Sequence, residues 1–557
     1  MATGTATVGL GMIGGLLLWV SFPPCAWWPC AWLAPVAWVL LVCRKRLPGA
    51  RPYFVLWCVG WIHWLLILHW VRLPHWSAFF GWFVLAGYLA CYVPLFIGLS
   101  RAAVHQAGIP TVVVVPVVWT GLELLRGHFL TGFSLALLGH TQASWTTLIQ
   151  VADVGGAYAV SCLMMFVAAS LAVALPRPGL PAQRWPLAVA GLILVCVLGY
   201  GRQRLDQALP ETANSRGTRV ALVQGSIDVS FSHDQRKETL DHYLELSRRA
   251  LVEHPDLDVI VWPESMCTFD VPIMSLADDL VFSPDFRALV AQNAAHVQQQ
   301  IDNFLASHRA VMSTPAEKSA GKAPSFILCS ETIHWRDKLH RFNTALLIDP
   351  AGTIINRYHK MHPVMFGEYV PLGGIFPWLY NLTPMAGGLT PGEEPKLFEV
   401  AGLRLAPSIC FETTVPHLIR RQVIELRRQG RVPDALVNLT NDGWFWGSSE
   451  LDLHLVCGVF RAIENRLPLL IAANTGFSAW IGAEGRVITR GPRRARDILV
   501  ANLQRSANHP TAVLGSPYQH VGDLLAGACL LFCGLVVLSL VPGLLCPVVS
   551  GSSLHDS

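Results

Sequence analysis

The sequence predicts a layered α/β domain carried by a bundle of membrane-spanning helices, and three observations predict it. Charge is segregated: the first 200 of 557 residues hold nine Lys or Arg and two Asp or Glu, against 32 and 35 in the remainder. Apolar runs of about 20 residues, the length that crosses a bilayer, follow one another through that first part. Beyond it the apolar runs shorten to strand length, are rich in Val, Ile and Leu, and alternate with helical stretches. A single soluble globule is excluded. A nucleic-acid binder is excluded too, because the net charge of +4 comes without long Lys/Arg clusters.

Taken in order, the apolar runs place spans at 7–22, 26–43, 53–71, 76–99, 109–125, 155–175 and 185–200, with an eighth at 521–548. No basic stretch precedes the first run and further spans follow at once, so it reads as a retained helix rather than a cleaved signal. With the N-terminus cytoplasmic, the inside loops 44–51, 100–108 and 176–184 carry seven basic residues, and the outside loops carry only Arg72 and Arg126. Excess Lys/Arg marks the cytoplasmic side. The polar segment after Tyr200 is therefore expected outside, with both termini inside. Glu123 and Arg126, three apart at a span end, are placed to pair on one helical face.

Residues 201–520 carry 32 basic and 33 acidic groups, the charge density of an ordinary globular domain. Strands are expected at 220–223, 258–262, 326–329, 345–348, 403–409, 435–439 and 469–473, and helices at 235–253 and 451–464. The domain boundaries are then 1–203 for the helical bundle, 217–505 for the α/β domain and 521–548 for the last helix. The stretch 266–325 reads as an insertion, its Ala-, Ser-, Pro- and Gly-rich end at 313–324 as a surface loop.

Three strands end in residues capable of covalent chemistry. Asp258-Val-Ile-Val-Trp-Pro-Glu264 delivers a carboxylate, Ile354-Ile-Asn-Arg-Tyr-His-Lys360 delivers one of only seven lysines, and Leu403-Arg-Leu-Ala-Pro-Ser-Ile-Cys410 delivers a thiol. Reactive groups in α/β sheets gather at strand carboxyl ends. Such a trio permits acyl transfer: the carboxylate takes the thiol proton, the ammonium stabilises the oxyanion, and a thioester forms on Cys410. Singly, each residue has a plainer role, since a Cys ending a core strand is most often an inert small hydrophobe.

The blocks Trp262-Pro-Glu264-Ser, Lys360 with Phe366-Gly-Glu368-Tyr-Val-Pro371, and Cys410-Phe-Glu412 resemble the three signatures of the nitrilase superfamily. With seven spans upstream and one downstream, the chain resembles its membrane-embedded branch, the apolipoprotein N-acyltransferases. The resemblance implies a four-layer α-β-β-α sandwich with Glu264 as general base, Lys360 as electrostatic stabiliser and Cys410 as nucleophile. It further implies supporting roles for Glu368, Phe411, Glu412 and Asn343, with Phe411 standing where the family commonly has Tyr. The implied substrates are a phospholipid acyl donor, phosphatidylethanolamine, and the α-amine of a diacylglyceryl-modified N-terminal cysteine on an apolipoprotein. The implied setting is the bacterial inner membrane, with the catalytic domain periplasmic and the enzyme a monomer.

The loop Trp444-Phe445-Trp446 is placed either as an interfacial foot or lid, or as sandwich core. No cofactor, metal or nucleic-acid partner is implied; His359 and His362 flank Lys360 without a third ligand nearby in sequence. Catalysis requires that Cys410 be unpaired, although an exoplasmic domain meets an oxidising compartment. Two other readings stay open at this point: a membrane-tethered amidohydrolase that releases its acyl group to water, and a non-catalytic membrane assembly protein that keeps the sandwich.

Overall fold

A computed structural model describes residues 5–176, 182–207, 217–229, 233–267, 272–277, 280–312, 323–382, 388–505 and 515–540. Apolar helices occupy the positions the hydrophobic runs predict: α1 (Thr5–Ser21), α2 (Cys30–Val42), α3 (Pro52–Ile67), α4 (Ala78–Ala90), α5 (Tyr92–His105), α6 (Thr111–His128), α8 (Ala152–Ala174) and α9 (Trp185–Asp206), with Leu524–Ser539 following the polar domain; the short α7 (Thr146–Ile149) lies between predicted spans. Four stretches among the described residues are long and apolar enough to cross a membrane. One of them, Ala78–His105, takes in both α4 and α5 and corresponds to the single apolar run at 76–99. Part of the predicted span 521–548 and most of the loop 313–324 lie outside the described residues. Glu123 and Arg126 are both buried and feel each other's charge as expected, but each makes its hydrogen bonds elsewhere. Glu123 Oε1 accepts the Leu138 N–H at 2.8 Å, and Arg126 Nη2 donates to the Leu135 and Ala136 carbonyls while its guanidinium sits over Trp64.

Thirteen strands build the polar domain among the described residues. In the first sheet β1 (Thr218–Gln224), β2 (Val259–Val261) and β4 (Ser325–Trp335) run parallel. Beside them β5 (Leu339–Ile348) and β6 (Ile354–His359) extend one edge antiparallel, β13 (Asp497–Leu503) closes the other, and β3 (Ile273–Leu276) pairs with β4. In the second sheet β8 (Leu403–Ile409), β9 (Ala435–Thr440) and β10 (Leu469–Ala473) are the parallel centre, flanked by β7 (Phe398–Val400) and by β11 (Ala479–Ile481) and β12 (Val487–Arg490).

Side-chain alternation along these strands builds the layers. Val220 and Leu222 of β1 face Leu405, Val437 and Leu470 of the second sheet. Ala221 and Val223 point the other way, onto α10 (His233–Glu253) and α11 (Pro284–Met312). The second sheet's outer residues Leu436, Leu469 and Ile471 pack with α12 (Pro416–Arg428) and α13 (Glu450–Asn465), in a core continuous with the bundle. Each fully buried Val, Leu or Ile side chain contributes roughly 1.5–3 kcal/mol. The result is helix, sheet, sheet, helix, with the inner helix layer resting on the membrane helices. The stretch 266–325, expected as an insertion, supplies β3 and α11. Val297, Ile301 and Leu305 of α11 belong to the first sheet's core, so this segment is a structural layer rather than an appendage.

The bundle and the domain meet at the ends of α6 and α9 and the start of α8. Asp153 of α8, fully buried, accepts from Arg466 Nε at 2.9 Å, Arg204 Nε at 2.8 Å and Tyr200 Oη at 2.6 Å, while Arg466 also reaches Gln150. Gly156, in the left-handed region at φ 66°, lets α8 turn here: a Cβ would sit 3.0 Å from the Tyr518 ring. Replacing Asp153 by Asn leaves Arg466 buried without its counter-charge. We expect a loss of about 3–5 kcal/mol, read as a lowered midpoint of thermal unfolding in detergent, with Arg466→Met in the same background restoring part of it.

Candidate active site

Glu264, Lys360 and Cys410 come together, although they leave two different sheets. Glu264 follows β2 after the turn at Trp262-Pro263, and Lys360 follows β6. Two antiparallel steps, β4 to β5 and β5 to β6, bring β6 back to the direction of β2, so both side chains emerge at the same end of the first sheet, past the carboxyl ends of these strands. Cys410 leaves β8 of the facing sheet and opens the 3₁₀ turn Cys410–Thr414. Its φ of 53° is unusual for a residue with a side chain and stores strain of order 1–3 kcal/mol.

Lys360 is the centre of the charge arrangement. It is 2% exposed, with Nζ 2.7 Å from Glu368 Oε1 and 3.2 Å from Glu264 Oε1. Burial alone would drive off its proton, but the Glu264 and Glu368 carboxylates outweigh burial and raise its pKa well above the usual range. Glu264 is held by Asn343 Nδ2 at 2.7 Å and by the Asn441 N–H at 3.3 Å, and Glu368 by the Val364 N–H at 2.8 Å. Burial and the neighbouring Glu264 push the Cys410 thiol well up, against the pull of Lys360, so the resting sulfur is protonated. Cys410 is a free thiol.

Glu412 organises the turn rather than facing the trio. Its Oε1 accepts the Met361 and His362 N–H groups at 2.7 and 3.0 Å, and its Oε2 accepts the Ile409 N–H at 2.6 Å and the Tyr358 hydroxyl at 2.8 Å. Burial lifts this carboxyl to about 7 in spite of the four donors. One fully buried acceptor thus ties the Lys360 strand end to the Cys410 turn. An amide cannot accept on its nitrogen side. We expect Glu412→Gln to leave N–H groups of that clasp unpaired, costing about 1–3 kcal/mol, with a lowered kcat in a rate assay and a lowered unfolding midpoint.

Phe411 is half-buried and stacks on His362, centroids 6.1 Å apart. The three aromatics of the Trp444-Phe445-Trp446 loop divide: Phe445 packs edge-on to Trp70 of the membrane bundle at 5.0 Å, Trp444 is half-buried, and Trp446 is 63% exposed. His359 is engaged with the Thr344 hydroxyl at 2.8 Å. Asp442, Glu450 and His454 bring one potential ligand atom each within 4.8 Å of one another. Both ring nitrogens of His454 lie within hydrogen-bond distance of a neighbour, Nδ1 of Asp442 and Nε2 of Thr413.

The family described as the apolipoprotein N-acyltransferase N-terminal domain matches residues 14–170, and the carbon-nitrogen hydrolase family matches residues 219–512. The apolipoprotein N-acyltransferase of Rhodopirellula baltica is 32% identical over 550 residues, covering 92% of this chain and 93% of that protein. That of Geobacter metallireducens is 31% identical over 546 residues, covering 93% and 92%. The chain belongs to the apolipoprotein N-acyltransferase family. The carbon-nitrogen hydrolase match begins inside β1 and takes in every later strand of the two sheets, and the N-terminal match lies on the helical bundle.

Sequence reasoning about this acyltransferase reaches the trio and its supports but not the polar residues behind Cys410. Asn438, Thr440, Asp442, Thr413 and His454 surround the turn from β9, the turn itself and α13. The run Asn441-Asp442-Gly-Trp444-Phe445 stands out in the sequence for its aromatic residues, and Phe445 packs on Trp70 of the bundle while Asp442 turns to Thr440 and His454. His454, in the middle of an amphipathic helix, carries no local signal.

Proposed function

We propose that this acyltransferase moves a fatty acyl chain from phosphatidylethanolamine to the α-amine of the N-terminal diacylglyceryl-cysteine of an apolipoprotein, through a thioester on Cys410. Family membership carries lipoprotein N-acylation; the meeting of a buried carboxylate, a buried ammonium and a protonated thiol supports the residue roles. In the first half-reaction Glu264 takes the Sγ proton as sulfur attacks the ester carbonyl. The carbonyl electrons move to oxygen, where the Lys360 ammonium meets the new negative charge. Collapse breaks the ester C–O bond, and the proton on Glu264 passes to the departing lysophospholipid alkoxide. In the second half-reaction the lipoprotein amine attacks the thioester, Glu264 accepts its proton, and Cys410 leaves and is reprotonated.

The placement of the domain supports a periplasmic site and cytoplasmic termini. Arg44, Lys45, Arg46 and Arg51 belong to the loop between α2 and α3, and Arg101 near the end of α5 donates to that loop's carbonyls, at the opposite end of the bundle from the α6, α8 and α9 ends that contact the domain. That asymmetry is what the excess of positive charge on the cytoplasmic side requires. The Phe445 and Trp446 loop, joined to Trp70, keeps the site at the bilayer surface where both lipid-anchored substrates reside. The enzyme acts as a monomer in this reading. Reconstitution in vesicles with a diacylated lipopeptide tests it: a triacylated product that requires phosphatidylethanolamine is expected. Free fatty acid released at the same rate without the amine would instead favour the amidohydrolase.

A further inference from the structure

Behind Cys410 lies a connected chain of buried polar groups that the transfer reaction does not itself employ. Asp442 Oδ1 accepts from the Thr440 hydroxyl at 2.8 Å and lies 3.1 Å from His454 Nδ1. His454 Nε2 is 2.7 Å from Thr413 Oγ1, which in turn lies 3.2 Å from the carbonyl oxygen of Cys410. Thr440 also contacts the Cys410 thiol. All four side chains are buried, and Gly476 leaves the room: a Cβ there would be 2.0 Å from Asp442 Oδ2.

The hydrogen count decides how this chain works. Thr413 has one hydroxyl proton and two acceptors in reach, the Cys410 carbonyl and His454 Nε2. If Nε2 is bare, it takes that proton and the carbonyl loses the Thr413 donor, keeping only Asn438. If both ring nitrogens carry protons, Nδ1 donates to Asp442, Nε2 donates to Thr413, and the Thr413 proton goes to Cys410. Burial opposes the charged ring, but Asp442 and the Cys410 carbonyl outweigh it and raise the His454 pKa. The other titratable groups felt here are Glu264, whose charge also favours the imidazolium, and Glu450, whose carboxyl is pushed well up by burial and by Asp442 and so favours its neutral form.

We propose that Asp442 and His454 are positioning residues for the nucleophile: Asp442 holds His454 with both ring nitrogens donating, which leaves the Thr413 hydroxyl to pin the Cys410 carbonyl and fix the thiol on its strained turn. Asn438 Nδ2 supplies the second donor to that carbonyl at 3.2 Å. The dyad touches neither substrate nor sulfur directly. It acts by keeping a left-handed Cys at the attack position, where a misplacement of about 1 Å costs on the order of 100-fold in rate.

This inference rests on Cys410 being the acylated residue, and the experiment separates the two. The rate of Cys410 acylation by phosphatidylethanolamine is followed by rapid quench and intact mass in wild type, Asp442→Asn, His454→Leu, His454→Gln and Thr413→Val. Expected are acylation rates lower by about 10- to 100-fold for Asp442→Asn, His454→Leu and Thr413→Val, with the donor KM within about twofold of wild type. His454→Gln keeps an N–H near the Nε2 position and is expected to recover most of the rate, and Thr413→Val combined with His454→Leu to be no slower than either alone. Unchanged rates in the three slow variants, or His454→Gln as slow as His454→Leu, would overturn the dyad while leaving the thioester intact. No acylation of wild type would instead overturn the underlying reading.

Discussion

Lys360→Met is expected to lose at least about 1,000-fold in acyl transfer and to lower stability as well. Two effects add. The ammonium is the charge that meets the oxyanion, and removing one such stabiliser costs about 10²–10³ in kcat. It is also the counter-charge for two carboxylates, at 2.7 Å from Glu368 and 3.2 Å from Glu264. Breaking a buried ion pair by deleting one partner costs about 3–5 kcal/mol, because the remaining charge is left uncompensated. The sign with pH follows. In wild type the raised Lys360 pKa contributes stability that is fully present below its unfolded pKa and is lost only as pH rises through its still higher folded value. In the variant that contribution is absent, so the deficit is expected across the whole range below the unfolded lysine pKa. Initial rates in vesicles, and unfolding midpoints across about pH 5 to 8, read both effects.

Glu264→Gln should separate chemistry from fold. The amide keeps an oxygen for Asn343 and Lys360, and Lys360 keeps the Glu368 carboxylate; only the long Asn441 N–H bond loses its acceptor, so the unfolding midpoint is expected to fall modestly, by about 1 kcal/mol in stability. The base is gone, however, and the thiol it serves is held protonated by burial. General-base loss costs about 10²–10⁴, and the deficit should fall on formation of the acyl-enzyme, with the donor KM little changed. Alkylation of Cys410 by a small neutral reagent should slow in parallel, because that too requires the thiolate. A variant that acylates at the wild-type rate would remove Glu264 from the mechanism.

The sequence is most informative where one residue type is scarce or one period is strict. Lys360 stands out because lysines are few, and the parallel strands β1, β8, β9 and β10 are legible as apolar runs because both faces of each are covered. The spans are legible for the same reason, apolar on all sides. What escapes is structure made by pairing rather than by composition. β3, β7 and β12 are short edge strands whose residues find partners only across the sheet. α11 lies in a stretch that reads as an insertion because its apolar residues are diluted by Gln, Asn and Asp, although Val297, Ile301 and Leu305 still line one face. In the site, Glu412 is expected as a support, but its role of joining two strand ends depends on Met361 and His362 N–H groups 51 and 50 positions away. The same is true of Asp153 and Arg466, whose contact crosses 313 positions of chain.

The most direct test of the account is the intact mass of the purified enzyme after incubation with phosphatidylethanolamine. Wild type is expected to gain one fatty acyl group, mapped by peptide analysis to Cys410 and released when a diacylated lipopeptide is added, with Cys410→Ala gaining none. An acyl group on any other residue, or a Cys410→Ala variant that still produces triacylated lipopeptide, would contradict it.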